Sequence, residues 1–111
     1  MNKTELEPAN TNRVPVVFLF YVDTYQGWVH VPWETFHRLG CDTKNLSWWS
    51  RADESGAYLE ELIDYPAFEA IFLAKTNERI VFYDIFGEGE DVRMKACGRG
   101  FAKPPRLTLV S

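Results

Sequence analysis

Cysteine and histidine are scarce in this sequence, and long apolar runs are missing. The two cysteines, Cys41 and Cys97, stand in neither a zinc-ligand nor a redox spacing, which argues against a disulfide scaffold or a structural metal site. Both are expected to be reduced thiols in a cytoplasmic chain. His30 and His37 are the only histidines, and they do not form an HxxxH ligand pair. The longest apolar run, Val14 to Val22, is interrupted by Pro15 and too short to span a bilayer. The stretch Met1 to Asn12 is polar and holds Glu5, Glu7 and Pro8, unlike the apolar centre of a secretory signal. No Gly-x-Ser-x-Gly elbow surrounds Ser47, Ser50 or Ser55.

Core material, in contrast, is ample. The 111 residues are 46% hydrophobic and 15% aromatic, with four Trp, five Tyr and eight Phe, enough to close one core without staples. A loose arm is expected over residues 1–13 and a single α+β domain over 14–111. Val14 to Asp23 reads as a strand buried on both faces, followed by a turn at Thr24 to Gly27, where Gly27 supplies a positive φ. Trp28 to Val31 returns as the second strand of a hairpin. Pro32 opens a short helix with Glu34 in its first turn and Gly40 as its stop. Leu46 to Ser50 and Ala57 to Glu60 read as strands around a turn over Arg51 to Gly56.

A second helix starts near Asp64 or Tyr65, has Pro66 in its first turn, and places Phe68, Ile71 and Phe72 on one face. Asn77 is expected to end it in the left-handed conformation. Arg79 to Phe86 reads as a buried strand, Gly87 to Asp91 as an acidic turn, Val92 to Ala96 as a partner strand, and Leu107 to Val110 as a last strand. The order β-β-α-β-β-α-β-β implies a mostly antiparallel sheet of about five to seven strands with two helices beside it.

Charge is segregated. Eleven acids fall between Asp53 and Asp91 against Lys75 and Arg79, whereas the chain beyond Val92 holds Arg93, Lys95, Arg99, Lys103 and Arg106 and no acid. Either the two regions present opposite fields, which steers partners, or folding pairs them.

The segment Gly27-Trp28-Val29-His30-Val31-Pro32, then Leu39-Gly40, then Tyr58-Leu59-Glu60-Glu61 with Asp64 and Phe68, carries a resemblance. Over about residues 26–75 it resembles a family of short uncharacterised proteins of bacterial phages and integrative elements. Leu62 stands where that family has an Asp. The resemblance implies a mobile-element origin and brings no activity with it.

Candidate sites follow from residue chemistry. Glu60, Glu61 and Asp64 are carboxylates of the kind that share protons or hold Mg²⁺, although capping of the following helix accounts for them as well. Trp48-Trp49 places one indole inward on a strand and leaves the other to face outward or lie under another element. Arg93, Lys95, Arg99, Phe101, Lys103 and Arg106 combine phosphate-binding charge with a stacking ring. The leading expectation is a non-enzymatic module that binds a host or phage protein through Glu60, Glu61, Glu88, Glu90, Asp91, Trp48 and Trp49, one version being inhibition of a host defence complex. A single-stranded nucleic-acid binder using the basic segment is the first alternative. A small enzyme using Glu61, Asp64 or His30 is the second, and the balance is against it. No cofactor, metal or membrane is implied, and exposed strand edges leave a homodimer open.

Overall fold

The computed structural model describes residues 12–22 and 26–86 of the chain. Among the described residues five strands form one sheet: β1 (Val14–Val22), β2 (Gly27–Pro32), β3 (Arg51–Asp53), β4 (Gly56–Glu60) and β5 (Glu78–Phe86). Two helices, α1 (Trp33–Arg38) and α2 (Tyr65–Lys75), join β2 to β3 and β4 to β5, with a short 3-10 turn at Thr43–Asn45. The spatial order is β3-β4-β2-β1-β5. Every neighbouring pair is antiparallel except β1 and β5, which run parallel. The α+β class, the two helices and the element order through β5 match the expectation. Among the described residues no helix is long and apolar enough to cross a membrane.

Strand alternation sorts the sheet into two faces. Phe18, Val29, Val31, Ala57 and Leu59 pack with Phe36 and Leu39 at the end of α1 and Tyr65, Phe68 and Phe72 of α2. Phe18 is the centre of this layer, with its ring edge-on to Phe68 at 5.8 Å and to Phe72 at 5.6 Å. The other face holds Tyr21, Trp28 and Tyr58 with Leu19 and Ile85 beside them.

Local chemistry sets the ends of the elements. Gly40, at φ 80, closes α1 in a paired motif: its amide donates to His37 O and the Cys41 amide to Phe36 O. Lys75 Nζ donates to Leu39 O at 3.1 Å, fastening the end of α1 to the end of α2. Arg13, expected in the arm, is anchored, its Nη1 donating to the carbonyls of Leu73, Thr76 and Glu78 at 3.1–3.3 Å.

Several expectations are corrected. The stretch 46–50 is not a strand; β3 begins at Arg51, and the reversal is confined to Glu54-Ser55. The Asp53 carboxylate sets that point by accepting from Ser55 N at 2.8 Å, Ser55 Oγ at 2.6 Å and Gly56 N at 3.3 Å. Gly27 does not supply a positive φ. It lies in β2, where the Phe20 ring occupies the space of a β-carbon, 2.7 Å from where one would stand. Asn77 does not end α2; Thr76 does, in extended conformation, with its hydroxyl donating to Phe72 O. β1 is not buried on both faces: the helices pack on the face that carries Phe18, and Val14 and Val17 are exposed. β5 is outermost among the described strands, with Phe82, Tyr83 and Phe86 exposed rather than buried. The expected Gly87–Asp91 turn and the strands 92–96 and 107–110 lie outside the described residues.

Two measurements check this packing. Phe72→Ala removes a ring that is almost wholly enclosed and is expected to cost about 3–5 kcal/mol in chemical denaturation. Burial, then the neighbouring Glu69 carboxylate, pushes the Tyr65 hydroxyl above its ordinary value of 10.0. The native state therefore keeps this proton when the unfolded chain has lost it. Its stabilising contribution is intact below that value and falls as pH rises above it. Tyr65→Phe is expected to flatten the alkaline limb of the stability profile.

Candidate protein-binding site

The residues between Glu60 and Asp64 form a tight turn leading into α2. Glu60 ends β4 with its side chain folded back, so that Oε1 accepts from Leu62 N at 2.8 Å and Ile63 N at 3.0 Å. The Asp64 amide donates to Glu60 O at 3.1 Å. The Glu61 amide donates to Gly27 O of β2 at 2.9 Å, so the backbone donors of this turn are satisfied, and its two apolar side chains point outward. Leu62 is 78% exposed and Ile63 49%.

A second loop is fixed against the turn. Asp64 stands at the N-cap of α2 but makes no side-chain cap bond to its own helix. Its carboxylate accepts instead from Ser47 Oγ at 2.7 Å, from Ser47 N at 3.0 and 3.2 Å, and from Ser50 Oγ. Ser50, fully buried, accepts in turn from Glu60 N at 3.0 Å. Trp48 and Trp49 lie between these two serines, on a loop rather than the expected strand, so strand alternation does not apply to them. Trp48 is half-buried and Trp49 41% exposed. Trp28 Nε1 donates to Trp49 O at 3.0 Å, so the backbone under the exposed indole is tied to the sheet.

The bonds from Asp64 thus tie the loop of Trp48 and Trp49 to the turn of Glu61, which also carries Leu62 and Ile63, residues that sequence reasoning missed. An apolar pair in a turn flanked by Glu61 and Asp64 is the signal that was available. Glu60 is corrected: at 5% exposure, with its carboxylate occupied by the turn, it adds nothing to an acidic surface. Glu61 is exposed. Glu88, Glu90 and Asp91 lie outside the described residues, as do Arg93, Lys95, Arg99, Phe101, Lys103, Arg106 and Cys97.

The residues weighed for catalysis are dispersed. Asp64 serves the serine brace. His30 Nε2 lies 2.9 Å from Ser55 Oγ, but Ser55 donates its one hydroxyl proton to Asp53 Oδ1. The Asp53 carboxylate thus ties the serine hydroxyl to the turn. Tyr58 OH also donates to Asp53, at 2.7 Å. The arrangement stabilises the β3–β4 turn. Among the described residues no group of three or more His, Cys, Asp or Glu is placed to hold a metal ion. The Cys41 thiol is free, and burial pushes its pKa up while Lys75 draws it down.

No protein-family model matches the chain, and neither a curated protein nor a solved structure does.

Removing the brace should be costly. Asp64→Ala leaves Ser47 Oγ, Ser47 N and Ser50 Oγ without their acceptor and is expected to destabilise the fold by on the order of 3 kcal/mol in urea titration. Leu62→Asp, on the outward side of the same turn, is expected to stay within about 0.5 kcal/mol of the parent.

Proposed function

We propose that this chain is a non-enzymatic protein-interaction module of a phage or mobile element, acting in the cytoplasm on a host protein. The observation that carries the reading is Leu62. A large apolar side chain left in water costs binding partners little to desolvate, and a satisfied turn holds it in one place. Apolar groups presented on pre-ordered backbone avoid the ordering cost of association. Trp49 is the second anchor, since tryptophan is enriched among the residues that dominate interfaces. Glu61 beside them supplies the acidic element of the expected surface, now smaller than the sequence suggested because Glu60 has turned inward. The resemblance to mobile-element proteins supports a host target. Inhibition of a host defence complex is the specific version of this reading, because an acidic surface fits grooves built for nucleic acid.

The test is affinity capture from host lysate at moderate salt, with the intact chain and with Trp49→Ala and Leu62→Asp. A specific protein retained by the parent is expected to bind each variant at least about thirtyfold more weakly, the loss typical of a dominant interface residue. Circular dichroism should be unchanged. Recovery of no protein, or equal recovery by all three chains, would remove the proposal.

A further inference from the structure

A cavity of about 110 Å³ opens between α1, the 3-10 turn and α2. Phe36, Leu59 and Phe68, all buried, form its depth, with Leu46 and Ile71 beside them. Gly40, Asp42, Asn45 and Ala67 are exposed residues of its lining, and Cys41 and Asp64 also border it. An apolar cavity of about 150 Å³ holds a benzene ring. This smaller one, open to solvent, has room for about four to six carbons on the same scale.

One wall is not apolar. Asp64 is 8% exposed, yet every bond it accepts comes from a neutral group: the Ser47 amide and the hydroxyls of Ser47 and Ser50. Among the described residues no lysine or arginine pairs with it. Oδ1 accepts only the longer contact, 3.2 Å from Ser47 N, and so retains acceptor capacity. A buried carboxylate without a counter-charge favours a cation at its free oxygen. The nearby lysine does not line the cavity: Lys75 Nζ, 3.5 Å from where a β-carbon on Gly40 would stand, is engaged with Leu39 O. Asp42, with Oδ1 already accepting from Lys44 N, adds negative charge to the lining.

We propose that this cavity binds a compact apolar amine, with its hydrocarbon body against Phe36, Leu59 and Phe68 and its ammonium group on Asp64. The site is separate from the protein-binding patch: Leu62, Ile63 and Trp49 do not line it.

The probe is isobutylamine, titrated into the full ¹⁵N-labelled chain, with isobutanol and isobutyrate as controls of similar size. Isobutylamine is expected to shift the amide signals of Cys41, Leu46, Asp64 and Phe68 saturably, and isobutyrate to bind at least about tenfold more weakly because its charge is reversed. Ile71→Phe, which fills the cavity, is expected to abolish the shifts without lowering the melting temperature. Should that variant unfold, Ala67→Leu narrows the lining from the helix surface and is expected to weaken binding. Asp64→Asn is expected to erase the preference for isobutylamine over isobutanol; if its lost charge disrupts the brace, the isobutyrate comparison in the parent chain decides. The proposal is overturned if isobutylamine leaves those four amides unmoved, if isobutyrate binds equally well, or if cavity-filling variants retain full affinity. Leu62→Asp is expected to bind isobutylamine as the parent does, so failure here leaves the protein-binding reading standing, and the converse holds.

Discussion

The Asp64 carboxylate, buried and bound to two serines from a distant loop, is the contact on which the functional end of this molecule depends. A carboxylate enclosed by protein must be supplied with donors, because an unsatisfied one costs more than most single contacts return. Ser47 and Ser50 are those donors, and their capture fixes the loop carrying Trp48 and Trp49 against the turn carrying Leu62 and Ile63. The same side chain borders the cavity beneath α1 and α2. One buried charge therefore organises a rigid surface on one side and a polar wall on the other.

The sheet provides the base for this arrangement. α2 carries the chain from β4 at one side to β5 at the other, and its Phe68 and Phe72 close over Phe18 on the way. That crossing makes β5 parallel to β1, whereas the other described pairs are antiparallel. The Arg13 guanidinium, at the entrance to β1, satisfies carbonyls at the end of α2 and the start of β5. The helix layer and the parallel strand pair are thus joined by one side chain that precedes the first strand.

Much of the architecture was legible in the residues. Pro32 and Gly40 bracket α1, and Pro66 with the Phe68-Ile71-Phe72 spacing marks α2, because caps and periodicity act over a few residues. Reading failed where a distant group competed with local propensity. The stretch 46–50 has strand-like aromatics, but Asp64 holds its serines and Asp53 moves the hairpin turn closer to Gly56. Gly27 looked like a turn glycine, yet its role is to admit the ring of Phe20. Glu60 looked like surface charge, and its carboxylate is consumed by two amides of the adjoining turn.

By itself the sequence determined the class and order of the elements, the two helix boundaries set by proline and glycine, and the aromatic stripe that builds the core. Those depend on φ restriction and side-chain period, which each residue carries wherever it is placed. Only tertiary structure decided that β5 runs parallel to β1, that Glu60 turns inward while Leu62 faces water, and that Asp64 reaches Ser47 and Ser50. These outcomes turn on which polar groups meet across long stretches of chain. A buried carboxylate takes whatever donors the fold delivers, and no local pattern names them in advance.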